Sequence, residues 1–125
     1  VEAAAKLAAV GIESTVVNAR FVKPLDGDTI LRLAQAAPLI VTIEEAYLAG
    51  GFGSAVIELL EANGLQDKVK VVRMGVPDEI VSHGDPKQLL AEYGLNADGI
   101  FERTAESLRQ LNEIPADGKR LRVVK

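Results

Sequence analysis

The sequence predicts a three-layer α/β/α sandwich with a mainly parallel sheet. Stretches rich in β-branched residues alternate along the chain with amphipathic stretches of helical spacing, which is the order that builds a parallel sheet covered by helices. The central stretch, residues 39–43 (LIVTI), is apolar at almost every position over the length of one strand. Strands that are buried on both faces have this pattern, so we expect helices on both sides of the sheet.

Composition and charge narrow the class of protein. A chain of 125 residues with 48% hydrophobic and 26% charged residues is the size and composition of one soluble domain. The net charge of −4 and the aromatic content of 4% argue against binding to a phosphate backbone or to stacked bases. No apolar run is long enough to cross a bilayer. The absence of cysteine excludes disulfides and fits a reducing, cytoplasmic compartment. We therefore expect neither a nucleic-acid partner nor a membrane partner.

The chain opens within a predicted helix. Residues 1–10 (VEAAAKLAAV) carry an apolar stripe, and Gly11 follows at the place of a helix-ending glycine. No capping residue and no initiator Met precede the stripe, so we expect a fragment of a longer protein. The stripe consists of Val1, Ala4, Ala5, Leu7 and Ala8.

A strand and a second helix follow. Residues 14–22 (STVVNARFV) predict a strand that runs into a loop, and Pro24 keeps the preceding residue extended. Asp26 or Asp28 is placed to cap the next helix, which Pro38 ends. The apolar face of that helix is Ile30, Leu33, Ala34 and Ala37.

The second half repeats the alternation. After the buried strand, residues 54–63 predict a helix and residues 69–74 predict a third strand. Asp85, Pro86 and Gln88 form a capping-box pattern at the start of a short helix. Asn96 is placed to cap a longer helix, whose apolar face is Ile100, Thr104, Leu108 and Leu111.

The domain is predicted to span residues 1–114. Pro115 and Gly118 interrupt the pattern, and residues 115–125 are predicted to form a flexible basic tail. The basic residues of this tail, expected to be solvated, are Lys119, Arg120, Arg122 and Lys125.

Glu44 and Glu45 follow the central strand at its carboxyl end, where open α/β sheets usually bind ligands. Adjacent residues of a strand point to opposite faces, so the two carboxylates are not expected to form a catalytic pair. We expect one of them to contact the neighbouring loop and the other to be able to reach an interface.

Residues 50–53 (GGFG) precede a helix and allow two interpretations. Helix N-termini bind anions, which would make this a phosphate-binding turn. The pattern is neither G-x-G-x-x-G nor a Walker sequence, however, and no Lys-Ser/Thr pair follows. It favours a tight strand-to-helix turn with Phe52 packed in an apolar contact.

Two further polar residues, His83 and Arg20, are candidate site residues. His83 is the single histidine, and without an arranged nucleophile or further metal ligands we expect a hydrogen-bonded loop residue. Arg20 could pair with a phosphate, with Asp26 or with a glutamate. These residues alone make no recognisable active site.

Three segments together resemble the C-terminal, transketolase-like domain of 1-deoxy-D-xylulose-5-phosphate synthases. The first is residues 16–26 (VVNARFVKPLD), and the second is residues 42–45 (TIEE) with residues 50–56 (GGFGSAV). The third is residues 75–78 (GVPD) with residues 83–84 (HG). The GGFG block is shared with the β subunits of 2-oxo acid dehydrogenases, whereas the first and third segments favour the synthases.

The resemblance implies a parent enzyme that uses thiamin diphosphate and Mg²⁺ to condense pyruvate with D-glyceraldehyde 3-phosphate. It places the cofactor between two preceding domains and gives this domain a role in supporting a homodimer. It therefore implies no catalytic, cofactor-binding or metal residue in this chain, and an isolated chain without activity. Interface residues would be Glu45, Gly51 and Phe52, and the strand that usually opens the domain would be missing.

Two other assignments remain open at the level of sequence. One is the corresponding domain of a 2-oxo acid dehydrogenase β subunit, against which the PD…HG pair speaks. The other is a free-standing α/β binding module, against which the uncapped first helix speaks.

Overall fold

The computed structural model describes residues 1–78, 85–111 and 120–124 of the chain. His83, and with it the prediction of a hydrogen-bonded loop histidine, lies outside the described residues. In chain order the elements are α1 (Glu2–Ala9), β1 (Glu13–Val17), α2 (Gly27–Ala34), β2 (Leu39–Tyr47), α3 (Phe52–Ala62), β3 (Lys70–Val76), α4 (Pro86–Glu92), α5 (Ala97–Gln110) and β4 (Arg120–Val124).

The strands form one sheet in the order β1-β4-β2-β3, and every neighbouring pair is parallel. Leu39, Ile40 and Val41 of β2 are fully buried. The predicted parallel sheet, with a central strand covered on both faces, is therefore confirmed.

Two apolar clusters lie on opposite faces of the sheet, because successive side chains of a strand alternate between its faces. Leu39 and Val41 pack against α1 and α5, which contribute Leu7 and Leu108 among others. Ile40 packs against α2 and α3 in the second cluster. The molecule therefore has three layers, with α1 and α5 on one side of the sheet and α2 and α3 on the other.

The predicted helix caps are confirmed at two of three positions. The Asp26 carboxylate accepts a hydrogen bond from the Thr29 N–H at 3.1 Å, and the Asn96 side chain accepts from the Gly99 N–H at 2.8 Å. Asp85 precedes α4, but its side chain makes no capping hydrogen bond, so the capping-box prediction is wrong in that respect.

Residues 14–22 form a strand that runs into a loop, as predicted: β1 ends at Val17, and the chain then turns towards the cap of α2. The buried face of the first helix differs from the prediction. In α1 the buried residues are Ala3 and Leu7, which lie one turn apart on the face towards α5, whereas Val1 is 83% exposed.

The prediction of a flexible tail is wrong for residues 120–124. They form β4, which pairs with β1 from Glu13↔Arg120 to Val17↔Val124 and with β2 at Ile40↔Arg122. The resemblance implies that the strand which usually opens the domain is missing. In the described residues, a strand from the C-terminal end, β4, lies in the interior of the sheet.

Candidate functional site at the end of strand β2

The carboxyl end of β2 is irregular, and the irregularity positions Glu44. Ile43 pairs with Met74 and Tyr47 pairs with Val76, so residues 44–46 of β2 lie opposite Gly75 alone. A bulge of this kind redirects the side chains of a strand and is frequent beside functional sites. The Glu44 side chain is buried here, and the residue is only 9% exposed.

The Glu44 carboxylate closes the N-terminus of α3. One oxygen, Oε2, accepts a hydrogen bond from the Phe52 N–H at 2.6 Å, and Oε1 accepts from the Gly53 N–H at 3.2 Å. The first N–H groups of a helix have no partner within the helix, and the helix dipole favours negative charge at this end. Gly51, the N-cap residue, has no side chain with which to cap the helix, so Glu44 supplies the cap from the neighbouring strand.

Glycines make room for this carboxylate. A Cβ atom on Gly51 would overlap the Glu44 carboxylate and would lie 2.5 Å from the Tyr47 carbonyl oxygen. A Cβ on Gly75 would lie 2.9 Å from Glu44 Cγ, and one on Gly53 would lie 2.6 Å from Thr42 Oγ1. These separations are shorter than van der Waals contact, so glycine is required by space at all three positions.

A second set of hydrogen bonds holds the turn between β2 and α3. The Ser54 hydroxyl donates to the Leu48 carbonyl oxygen at 2.9 Å, and Arg73 Nη1 donates to the same oxygen at 3.2 Å. Arg73 Nη1 also donates to Ser54 Oγ at 3.0 Å. The Arg73 side chain therefore links the turn to strand β3 by hydrogen bonds.

The two glutamates separate as the sequence predicts. Glu44 is buried and accepts hydrogen bonds from the neighbouring turn, whereas Glu45 is exposed near the carboxyl end of β2. Tyr47, two residues further on, is also 52% exposed. Glu45 is thus exposed, and its place at an interface stays a prediction.

Phe52, one of the three predicted interface residues, has a buried side chain. It is only 6% exposed and packs in the apolar cluster with Val56 and Ile40, so its side chain is unavailable to a partner. The alternative interpretation, a tight strand-to-helix turn with Phe52 in an apolar contact, agrees with the structure. Gly51 is half-buried, and its place at an interface stays a prediction.

The phosphate-loop interpretation does not fit this turn. A phosphate or diphosphate at the N-terminus of α3 would have to displace the Glu44 carboxylate, which already accepts from the Phe52 and Gly53 N–H groups. The N-terminus of α3 therefore does not fit a diphosphate site. Among residues 1–78, 85–111 and 120–124, no group of three His, Cys, Asp or Glu side chains is placed to hold a metal ion.

Arg20 lies in the loop between β1 and α2. It lines a cleft of about 210 Å³ together with Asp26 and Phe21. The Arg20 side chain is exposed, and within the described part of the chain it forms no ion pair with Asp26 or with a glutamate. Among the described residues, Arg20 therefore makes neither of the two intrachain pairings that the sequence allows.

None of the helices in the described part of the chain is long and apolar enough to cross a membrane.

Two features of the site were not predicted from the sequence: the hydrogen bonds of Arg73 and the lack of space for a side chain at Gly75. The sequence does give one indication of the first, because Arg73 is a charged residue inside an otherwise apolar strand. In the sequence, Gly75 stands out only as part of the GVPD segment. The need for glycine there depends on the bulge in the neighbouring strand β2, and a bulge has no reliable pattern in a single sequence.

Comparison with known proteins agrees with the fold. Residues 1–100 match the sequence model of the family described as "Transketolase, C-terminal domain". A solved structure titled "Split gene transketolase, inactive beta4 tetramer" superposes with a TM-score of 0.76 at 34% identity. This match covers 86% of this chain and 34% of that one.

Curated relatives include several enzymes named 1-deoxy-D-xylulose-5-phosphate synthase. That of Symbiobacterium thermophilum is 48% identical over 120 residues, which is 95% of this chain and 18% of the relative. Those of Geobacter metallireducens and Desulforudis audaxviator are each 54% identical, over 82% and 86% of this chain and 16% and 17% of the relatives. The resemblance inferred from the three motifs is confirmed, and the chain spans less than a fifth of the length of these relatives.

Proposed function

Because the chain belongs to the transketolase C-terminal domain family, we propose that it is the C-terminal domain of a 1-deoxy-D-xylulose-5-phosphate synthase. The observation that carries the proposal is the similarity to enzymes of that name over 95% of this chain but only 18% of the relative. A domain of a longer polypeptide is expected to show this asymmetry.

The parent enzyme would condense pyruvate with D-glyceraldehyde 3-phosphate to 1-deoxy-D-xylulose 5-phosphate and carbon dioxide, in the cytoplasm. Thiamin diphosphate and Mg²⁺ would supply the carbanion chemistry when bound by the rest of the polypeptide. The present chain would contribute no group to the reacting atoms. Its best-placed carboxylate, Glu44, is already used in capping α3.

The domain would act by supporting a homodimer of the parent enzyme. Glu45 and Tyr47 are exposed at the carboxyl end of β2, beside a turn that Glu44 and Arg73 hold in place. A fixed turn loses little conformational freedom on association, which favours its use as a contact surface. The solved relative described as an inactive β4 tetramer supports the view that a subunit of this kind associates without being active by itself.

Activity assays of two proteins test the proposal. The isolated chain and the complete polypeptide are each supplied with both substrates, thiamin diphosphate and Mg²⁺, and release of carbon dioxide is measured. We expect turnover from the complete polypeptide and none from the isolated chain. Turnover by the isolated chain would refute the assignment of the chemistry to the preceding domains, and a complete polypeptide without synthase activity would refute the proposed enzyme.

A further inference from the structure

The C-terminal end of helix α3 carries the dipeptide Asn63-Gly64. Of the asparagines in the chain, only Asn63 is followed by glycine, and both residues of the pair are exposed. The backbone nitrogen of a glycine in this position can attack the side-chain amide carbon of the asparagine, because glycine has no Cβ to shield that nitrogen and its backbone turns freely. The pair is therefore a candidate site of spontaneous deamidation.

The reaction needs only water as a co-reactant. The Gly64 nitrogen loses its proton and forms a bond to Asn63 Cγ, and the Cγ–Nδ2 bond breaks as ammonia leaves with that proton. The product of this step is a five-membered cyclic imide. Water then opens the imide at one of its two carbonyl carbons, which leaves either aspartate or isoaspartate at position 63. No oxidant or reductant takes part.

The folded structure keeps the two reacting groups apart. Asn63 Nδ2 donates to the Leu59 carbonyl oxygen at 2.8 Å, and the Gly64 N–H donates to the Glu61 carbonyl oxygen at 3.0 Å. Ring closure requires the Gly64 nitrogen to be eclipsed with Asn63 Cβ about the Cα–C bond. The Asn63 ψ of 10° instead places this nitrogen almost eclipsed with the Asn63 backbone nitrogen. The native conformation of Asn63 therefore cannot form the imide.

A buried leucine holds this conformation in place. The Leu65 N–H donates to the Leu60 carbonyl oxygen at 2.9 Å, and Gly64 has a φ of +66°. Together with the bond from Gly64 to Glu61, this is the Schellman arrangement that ends many helices. Leu65 is only 6% exposed and belongs to the same apolar cluster as Leu60. Rotation of Asn63 into the reactive conformation therefore requires the last turn of α3 to unwind and Leu65 to move.

We propose that Asn63 is a deamidation site that the folded end of α3 closes and that opens when the last turn of this helix unwinds. The extent of deamidation then records how often this end of α3 has been open. This inference goes beyond the proposed function and does not rest on it.

Deamidation also prevents the helix end from closing again as before. The aspartate product has no amide N–H to donate to the Leu59 carbonyl oxygen, and its negative charge lies at the negative end of the helix dipole. The isoaspartate product adds a methylene group to the main chain before Gly64. The N–H groups of Gly64 and Leu65 are then out of register with their acceptors, the carbonyl oxygens of Glu61 and Leu60.

The rate of deamidation tests the proposal. The complete polypeptide that contains this chain is incubated in mildly alkaline buffer, and aspartate and isoaspartate at position 63 are quantified by mass spectrometry. A synthetic peptide of residues 57–69 gives the rate of an unfolded chain. We expect the folded protein to react at least about tenfold more slowly than the peptide, because only its open form reacts. Equal rates, or a peptide that does not react, would overturn the proposal.

A matched pair of variants identifies the turn that must open. Ala62→Gly loosens the last turn of α3, and Ala91→Gly makes the same change near the end of α4; both alanines are exposed. We expect Ala62→Gly to accelerate deamidation of Asn63 about two- to fivefold and Ala91→Gly to leave the rate unchanged, because glycine weakens the helix that contains it. The peptide of residues 57–69 with Ala62→Gly corrects for a change in intrinsic reactivity. Equal rates in the two protein variants would overturn the proposed route.

Hydrogen exchange of the Leu65 amide measures the opening itself. In Ala62→Gly, this exchange should accelerate by the same factor as the deamidation of Asn63, since both processes pass through the same open form. Faster exchange without faster deamidation would contradict the proposal, because opening of the last turn would then not expose the reactive pair.

Discussion

The carboxylate of Glu44 caps a helix eight residues further along the chain, with its Oε2 2.6 Å from the Phe52 backbone nitrogen. Strand β2 and helix α3 are thus joined by a buried, charge-assisted hydrogen bond in addition to their apolar contact. The glutamate at the end of the apolar strand and the glycine-rich turn occur together because the carboxylate caps the helix and the glycine leaves space for it. It also leaves the N-terminus of α3 closed to an external anion.

Glu44→Ala is expected to destabilise the domain by about 2–4 kcal/mol, because two buried N–H groups lose a charged acceptor. Glu44→Gln keeps one acceptor oxygen and should cost about half as much. Urea unfolding measures both changes. The matched control is Glu45→Gln at the exposed neighbour, which should alter the free energy of unfolding by no more than about 0.5 kcal/mol. Equal effects at the two positions would show that the cap contributes nothing.

Gly51→Ala is expected to cost about 2 kcal/mol or more, because the added Cβ overlaps the Glu44 carboxylate. Gly50→Ala is the control: its φ of 70° is strained for alanine, but nothing lies within 4 Å of the added Cβ. That variant should cost only about 1 kcal/mol. In the background of Glu44→Ala, the cost of Gly51→Ala should fall by about 1 kcal/mol. Additive costs in this double-mutant cycle would contradict the proposed overlap.

The ion pair between Lys6 of α1 and Asp98 of α5 predicts a dependence on pH. The hydrogen bond and the charge of Asp98 raise the pKa of the exposed Lys6 above its ordinary value of 10.5. Because the pKa of Lys6 is higher in the folded state than in the unfolded state, protonated Lys6 stabilises the folded protein at pH values below its unfolded pKa. This stabilisation is lost as the pH rises through the folded pKa of Lys6. Above pH 10.5 the unfolding free energy of the native chain should therefore fall towards that of Asp98→Asn.

NMR titration of the Lys6 side chain checks this directly. In Asp98→Asn the midpoint should move down towards the ordinary lysine value, and added salt should reduce the difference between the two proteins. An identical midpoint in both proteins would show that the pair does not form in solution.

Glu45→Arg in the complete polypeptide is expected to weaken dimerisation about tenfold, because it reverses a charge at the exposed end of β2. Sedimentation equilibrium measures the dissociation constant. Glu58→Arg is the matched control, since Glu58 is an exposed glutamate about two turns into α3. If both variants, or neither, changed the dissociation constant, the interface would not lie at Glu45.

The sequence predicted those parts of the fold that depend on local patterns. The apolar run of residues 39–43 identified the interior strand, and Asp26 and Asn96 identified two helix starts, because burial and capping each need particular residue types in a fixed order. The separation of Glu44 from Glu45 followed from the alternation of side chains along a strand.

Long-range pairing was not predictable in the same way. Residues 120–124 are basic enough to suggest a solvated tail, and their place in the sheet depends on a gap left by distant strands. The position of Phe52 at a strand end suggests an interface residue, but its side chain packs with Ile40 and Val56, a contact between elements that the local sequence does not reveal. The Arg73 contacts with Leu48 and Ser54 likewise arise only after β2 and β3 have paired.

The mass of the intact polypeptide in source cells, detected with an antibody against this chain, tests the central claim most directly. The aligned part of the Symbiobacterium thermophilum relative is 18% of that enzyme, so a synthase should be roughly five to six times the length of this chain. We predict one long polypeptide with room for two further domains. A band no larger than this chain would contradict the account, and a polypeptide with room for only one further domain would favour a 2-oxo acid dehydrogenase β subunit.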